Sequence, residues 1–600
     1  MSTHARPLAV WLAAESDSQL AALFEARGVR TDVPWSDFFD AAEGLLDPAS
    51  IERMLPQLTR VEAVALRRAV EAETGEIGET DETTAPSDSD DARDTLIALA
   101  LLRPGGTPHP PVIDAVASRS VPAASLTNNV AVPATEPAAA HAAERAFTSV
   151  AAIADVLLMA RETALALLTS GNLAAGEKRR MAEAGLPVDV IDELVALAGD
   201  AALVSVNDRK LRLSAAGEEW LRLAASERWA HIAEGFRSAL PRGLRSADGG
   251  WLPMVQWPDQ HPWDPSWDER AATLAERARL LGLVADDGTE PAWAVALHEG
   301  APADAEALQR MLPAEVDRIF LQNDLSAIAP GALAPALDVR LRGIAVRESA
   351  AQASSYRFTA ESVSHALAAG ETASSILEFL GELSLTGIPQ PLEYLVTQTA
   401  QRHGLVRVFT DADSGRTRVT SVDATLLDAL GIDQSLRPLG LVRDGDALNS
   451  RVGRDTVYWA LTDARYPAAI VGDDGRPRIV DRNPPSSPAA EEPRSYDTLI
   501  ARLRAQQGPD ADAAWLDREL EAAVRAKAVL HVEVGMPDGS TRALLLEASG
   551  LGGGRLRGRD RAADVERTLP VKSIRSAYVV DPSAGSGVGS SGSGVGSSGA

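Results

Sequence analysis

The sequence predicts a multidomain α+β fold: a mostly α-helical N-terminal half that includes a winged helix, a central α/β domain and a small C-terminal β-barrel. Three observations lead there. The chain has 600 residues, far past the size at which one hydrophobic core keeps growing. Apolar residues recur at helical spacing through the N-terminal part, and between 146 and 238 three helices are followed by a hairpin. Short alternating strands with turn signals dominate from 528 onward.

Residues 1–70 read as a helical domain, with Leu8, Trp11, Leu12, Leu20, Leu23 and Phe24 on recurring faces and Asp47-Pro48 as a helix start. Residues 71–93 read as an acidic linker: nine acids and no base lie between Glu71 and Asp91. Over 94–145 a helical pair, split at Pro104-Gly105-Gly106, leads into an Ala/Pro-rich connector. Residues 146–240 form the winged-helix domain. Its hairpin "ALVSVNDRKLRLS" turns at Asn207-Asp208, and Ser214 opens the next helix.

Residues 241–318 form a Trp/Pro-rich helical connector. Four tryptophans stand among four prolines in "WLPMVQWPDQHPWDPSW", read as pins that anchor an extended loop rather than as an aromatic platform. Residues 319–480 form the α/β domain, with Thr359 as a helix N-cap. A Pro-rich linker (481–494) precedes a helix and β-barrel (495–582). The Gly/Ser tail (583–600) is expected to be disordered.

Composition removes several kinds of chemistry. The chain has no cysteine, which excludes disulfides, thiolate zinc sites, iron–sulfur clusters and a Cys nucleophile. Its nine histidines are scattered, with no close metal-type pair, so no metal is expected. No stretch approaches a membrane span, and the apolar run Pro7–Ala14 is too short for a secretory signal. The expected location is therefore the cytoplasm, in association with the nucleoid.

The glycines of Gly171-Asn-Leu-Ala-Ala-Gly176-Glu177-Lys178 have P-loop spacing, but Glu177 stands where the phosphate-binding lysine is needed and Lys178 where Ser or Thr would hold Mg²⁺. No strand-to-helix nucleophile elbow occurs, so neither a catalytic residue nor a cofactor is expected, and the chain reads as a non-enzyme.

The net charge of −27 would repel nucleic acid if evenly spread, but a third of it sits in the acidic linker. Two basic groups are candidate nucleic-acid contacts. Lys178, Arg179 and Arg180 precede the helix in the recognition position, with Arg209 and Lys210 at the wing tip. Arg555, Arg557, Arg559 and Arg561 alternate along a strand, which puts them on one face. Against groove insertion, the recognition-position helix and its approach carry Asp189, Asp192 and Glu193.

The segments "LQNDLSAIAPGALAP", "SSYRFTAESVSHALAAGETASSILEFL" and "IPQPLEYLVTQTAQRHG" resemble the helicase-associated proteins of actinobacteria, a region grouped with the N-terminal domain of XPB-type helicases. Asp324, Pro330, Gly331, Tyr356, Arg357, Gly370, Pro389, Gln390, Pro391, Leu392, Tyr394 and His403-Gly404 carry the likeness. It implies an auxiliary domain beside a translocating motor, contacting DNA or a helicase, transcription or repair partner. The C-terminal strands are similar to the WYL domain of bacterial regulators, with "RLRGRD" near the place of the missing Trp-Tyr-Leu signature. Two functions follow as expectations: a DNA-binding accessory factor in repair or transcription, or a protein-interaction scaffold built on winged-helix modules.

Overall fold

The computed structural model describes residues 5–75, 86–123, 132–350, 353–412, 414–472, 477–485, 494–508, 511–536 and 540–579. They form two compact units, one from Met1–Asn128, Val255–Ala271 and Glu491–Ala600, the other from Asn129–Met254 and Ala272–Ala490. The consecutive blocks read from sequence differ from this division, because the 255–271 part of the Trp/Pro connector packs with the chain ends.

In the first unit, helices α1 (Ala5–Ala14), α2 (Asp17–Ala26) and α3 (Phe38–Leu45) bury Leu8, Leu12, Leu20, Phe24, Phe38 and Leu45 in one core. A reciprocal cap starts α2: Ser16 Oγ accepts the Gln19 N–H at 3.3 Å and Gln19 Oε1 accepts the Ser16 N–H at 3.1 Å. Helix α4 (Arg60–Thr74) includes Glu71 and Glu73, and Gly75 ends it at φ 74°. Helix α5 (Pro86–Ala98) includes Asp90 and Asp91. The ends of the expected acidic linker are thus helical. Proline suits a first helical turn, where its missing N–H leaves no ladder bond unmade. Residues 76–85 of that linker lie outside the described residues.

The second unit opens with α6 (Glu136–Glu162), a 27-residue helix that begins inside the stretch read as an Ala/Pro connector. Alanine has the highest helix propensity, and Pro137 falls in the first turn, where it is harmless. There follow β1 (Leu165–Ala166), α7 (Ala175–Glu183), α8 (Ile191–Asp200), β2 (Val204–Asn207) and β3 (Lys210–Leu213). The strands pair antiparallel in the order β1-β3-β2. The two-residue loop Asp208-Arg209 has φ of 50° and 56°, the type I′ geometry that matches strand twist. The turn thus lies one residue later than the Asn207-Asp208 expected from the sequence. Helix α9 (Ala225–Ala239) packs on α6 and α8.

All four tryptophans of the Trp/Pro stretch are buried: Trp251 is 2% exposed, Trp257 0%, Trp263 6% and Trp267 1%. Within the first unit the Trp263 indole N–H donates to the Ser120 carbonyl at 3.0 Å and that of Trp267 to the Trp257 carbonyl at 2.7 Å. Within the second unit Trp251 stacks on His298 with ring centres 5.7 Å apart. These residues are pins, since an aromatic platform needs exposed rings.

The central region has two sheets. β4 (Phe320–Leu321), β5 (Ser326–Ala329), β6 (Val346–Ala350) and β7 (Ser354–Arg357) make an antiparallel sheet in the order β4-β5-β7-β6, with α10 (Pro335–Ile344) between β5 and β6. Strands β4 and β5 form a hairpin, in which Asp324 turns the chain by accepting the Ser326 N–H at 3.1 Å. Then come α11 (Ala360–Ala368), α12 (Ala373–Leu383) and α13 (Gln390–Arg402). Thr359 caps α11 as expected, its Oγ accepting the Ser362 N–H at 3.0 Å.

The second sheet contains β8 (Val406–Thr410), β9 (Thr417–Ser421), β10 (Val442–Asp444), β11 (Ala447–Ser450), β12 (Ala468–Val471) and β13 (Pro477–Arg478), ordered β10-β11-β9-β8-β12-β13. Helices α14 (Ala424–Ile432) and α15 (Arg454–Asp463) cover one of its faces through Leu427, Leu430, Val457 and Leu461.

The chain then returns to the first unit with α16 (Asp497–Ala505) and α17 (Ala511–Ala526). The Tyr496 hydroxyl donates to the Val29 carbonyl at 2.8 Å, and Arg518 reaches Asp37 at 3.1 Å and Asp40 at 2.7 Å. The last strands are β14 (Val529–Gly535), β15 (Thr541–Gly552), β16 (Arg555–Asp560), β17 (Val565–Pro570) and β18 (Ile574–Val579), ordered β17-β16-β15-β14-β18.

The expected C-terminal barrel is therefore corrected to an open sheet, with β17 and β18 as separate edges. Leu516, Leu520 and Ala523 of α17 pack against Leu530, Val532, Leu546 and Leu556. A helix laid over the apolar face buries it without closure. The Gly/Ser tail lies outside the described residues. Among the described residues no helix is long and apolar enough to cross a membrane.

Candidate nucleic-acid interface

Two of the five residues of the first basic group, Lys178 and Arg180, are held within their own module. Lys178 on α7 forms an ion pair with Asp192 at the start of α8, and the same carboxylate accepts the Leu173 N–H at 3.1 Å. Arg180 pairs with Glu177 at 2.8 Å, while the other Glu177 oxygen accepts the Ala166 N–H at 3.4 Å. Glu177 and Lys178 thus sit inside a helix and tie it to its neighbours. The P-loop-like spacing marks a turn at Gly171, at φ 90°, ahead of that helix. Arg179, Arg209 and Lys210 are exposed and have no ion-pair partner among the described residues.

Helix α8 occupies the recognition position but does not present a free face. Ile191, Leu194, Val195, Leu197 and Ala198 are buried, and Gly199 is its sole exposed residue. Glu193 is paired with Arg277 at 2.6 Å, and Asp200 lies 3.7 Å from the same guanidinium. Burial raises the Asp200 carboxyl above its ordinary range, with Arg277 opposing. α6 and α9 pack on α8, and its acids serve internal pairing, which adds to the case against groove insertion.

The second group behaves as its alternation predicts. Arg555, Arg557 and Arg559 point outward, while Leu556, Gly558 and Asp560 are buried. Their surroundings differ. Arg559 pairs with Asp564 at 2.7 Å and stands between Glu547 and Glu566 of the adjacent strands. Arg561, just past the strand, lies 3.4 Å from Glu547.

Arg557 faces Gly550 and Thr568 across the sheet, and Arg555 faces Gly552 and Pro570. Neither has an ion-pair partner among the described residues. Gly553 and Gly554, at φ 60° and 67°, make the turn that brings Arg555 opposite Gly552. The result is two guanidinium groups without an ion-pair partner among the described residues, each with a glycine opposite it on β15. Asp560 beneath them is held below its ordinary pKa, first by its hydrogen bond from Arg567 at 2.6 Å.

Over 527–579 there are nine Lys and Arg against six Asp and Glu, so this segment is basic within an acidic chain. A cleft of about 480 Å³ on the same sheet is lined by His531, Arg542, Leu545 and Asp560. Its carboxylate is already engaged by Arg567. Among the described residues no cluster of three or more His, Asp or Glu is placed to hold a metal ion.

One exposed face escaped the sequence reading. On α13, Gln390, Tyr394, Thr397, Gln398 and Gln401 all face solvent, while Leu392 and Val396 are buried. The three- and four-residue spacings were available as a signal, but polar residues on a helix attract no attention until the helix is known to be uncovered.

Compared with known proteins, residues 319–444 match the family model described as the helicase conserved C-terminal domain. No curated protein matches the chain. The segment is thus similar to a domain of helicases. It contains the hairpin of Asp324, the Tyr356–Asp338 hydrogen bond of 2.6 Å and helices α11 to α13.

Proposed function

Proceeding from a helicase-type segment, we propose that this chain is a non-catalytic helicase-associated protein, an accessory factor in DNA repair or transcription. It holds DNA phosphates through Arg555 and Arg557. The observation that carries the reading is the pair of outward, uncompensated arginines on β16, facing glycines in a locally basic segment. Guanidinium groups already committed to carboxylates, such as those of Arg559 and Arg561, contribute less. Arg179, Arg209 and Lys210 are secondary contacts. The likeness to XPB-type N-terminal domains and the winged-helix reading of α6 to β3 belong to the same proposal, as does work in the cytoplasm beside the nucleoid.

The non-catalytic part rests on Glu177 standing where a P-loop requires lysine. The test combines two assays on the purified chain. Fluorescence anisotropy with labelled 30-mer single- and double-stranded DNA at low salt should show binding, weakened about tenfold by R555A/R557A. ATP hydrolysis should stay at background with and without DNA. Absence of binding at low salt, or turnover stimulated by DNA, refutes the proposal.

A second reading has its own observation. The covered α8 and the internal pairing of Lys178, Arg180 and Glu193 suit a winged-helix module used for packing, as in a protein-interaction scaffold without direct DNA contact. A protein that binds no DNA, and whose R555A/R557A variant still forms complexes with a helicase or repair protein, favours this scaffold.

A further inference from the structure

The succession of three helices and a hairpin occurs twice in the second unit. The first copy runs from α6 to β3, the second from α11 to β9, where β8 and β9 pair antiparallel directly after α13. In both, the third helix occupies the position from which such a module reads a groove. The two third helices differ in a way that decides which can do so. Helix α8 buries Ile191, Leu194, Val195, Leu197 and Ala198, is half-buried over most of the rest, and is acidic in its first turn. Helix α13 buries Leu392 and Val396 in a core shared with Val363, Ile376, Phe379 and Leu380, and leaves the opposite face open.

That open face is centred on Gln390, Tyr394, Thr397 and Gln401, with Gln398 beside them, at the three- and four-residue spacing of one helical stripe. Tyr394 is 65% exposed in a chain with only six tyrosines. None of these five side chains has a hydrogen-bond partner among the described residues. The stripe carries donors and acceptors without net charge, with Glu393 at one border and Arg402 at the other.

Arg402 ends α13, Arg407 follows on β8 and Arg416 stands in the hairpin turn. All three are exposed, and none has an ion-pair partner among the described residues. An uncharged hydrogen-bonding centre with free cations at its end complements a groove floor between phosphate ridges. A helix of about 10–12 Å diameter enters a major groove of about 12 Å width.

We propose that α13 is a base-reading helix for duplex DNA, with the β8–β9 hairpin as its phosphate-contacting wing. Glutamine amides pair in bidentate fashion with the N6 and N7 edge of adenine, and the Thr397 methyl suits that of thymine. Arg402, Arg407 and Arg416 hold the backbone. This rests on the reading that DNA is the partner but uses a different surface from Arg555 and Arg557, so the two can fail separately.

The test is selection of the full chain against a pool of random-sequence duplexes, followed by anisotropy with the enriched and a scrambled duplex. The wild type should enrich a motif and prefer it about tenfold. Y394A/Q398A/Q401A changes exposed positions only, and its unchanged thermal midpoint is the folding control. It should lose that preference while retaining binding to scrambled duplex. R555A/R557A should keep the preference and bind both duplexes more weakly. Q401E is a second probe, which should abolish the preference by setting a carboxylate against the groove.

A wild type that binds duplex DNA without enriching any motif overturns the inference and leaves the Arg555–Arg557 reading standing. The same holds if the triple variant enriches the wild-type motif. Failure to bind any DNA at low salt overturns both.

Discussion

Replacing Asp155 with alanine should loosen the attachment of α6 to the helicase-type segment more than any surface change in the second unit. The Asp155 carboxylate, on α6, receives Arg342 of α10 at 2.5 Å and Arg347 of β6. The three side chains are largely buried, at 14%, 19% and 18% exposure. Removing the acid leaves two guanidinium groups out of water with one remote substitute, Asp338 at 3.8 Å from Arg342.

Breaking a buried ion pair from one side costs about 3–5 kcal/mol, and Asp338 places the expected loss at the lower end, about 3 kcal/mol. That corresponds to opening about 150-fold more frequent, read by hydrogen-exchange mass spectrometry as faster exchange in peptides from α6, α10 and β6. D155N keeps the shape and should fall between the two. Exchange within about twofold of wild type, as expected for a solvated surface pair, would refute the assignment of Asp155 as the buried link.

Trp257→Ala should remove a fully buried indole from the first unit and lower its unfolding free energy by about 3–5 kcal/mol, seen as a lower denaturation midpoint; a change under about 0.5 kcal/mol would mean the Trp/Pro stretch is not a pin. The His298 Nδ1–H donates to the Glu290 carboxylate at 3.0 Å, which raises the histidine pKa against the effect of burial, with Glu299 adding to the rise and Trp251 stacked on the ring. A raised histidine stabilises the fold fully below its ordinary pKa of about 6.5 and ceases to do so as pH rises through the higher folded value. E290Q should therefore be less stable than wild type in acid and equal to it at alkaline pH, and a difference that grows with pH would contradict the pairing.

Local chemistry was legible in the sequence wherever a side chain acts on its near neighbours. Thr359 reads as an N-cap and is one, and the β2–β3 hairpin and the alternation along β16 follow from side-chain type and spacing alone. What escaped depends on long-range placement. Nothing near Lys178 announces that Asp192 will take its charge, and nothing in the pattern of α8 says that α6 and α9 will pack on it. The five strands after α17 have the spacing of a barrel, and closure fails because a helix already covers the apolar face. The first unit joins Val29 to Tyr496 across 467 positions, a contact that leaves no periodic trace. At the candidate interface, sequence located all four arginines but could not separate Arg555 and Arg557 from Arg559 and Arg561, since the difference lies in what the neighbouring strands place opposite them.

The most direct measurement is the slope of log binding constant against log salt concentration for double-stranded DNA. Each phosphate neutralised contributes about 0.9 to that slope, so R555A/R557A should flatten it by about 1.8, whereas R559A/R561A should change it far less. Equal slopes for wild type and R555A/R557A would show that these two arginines touch no phosphate, and the account would fail.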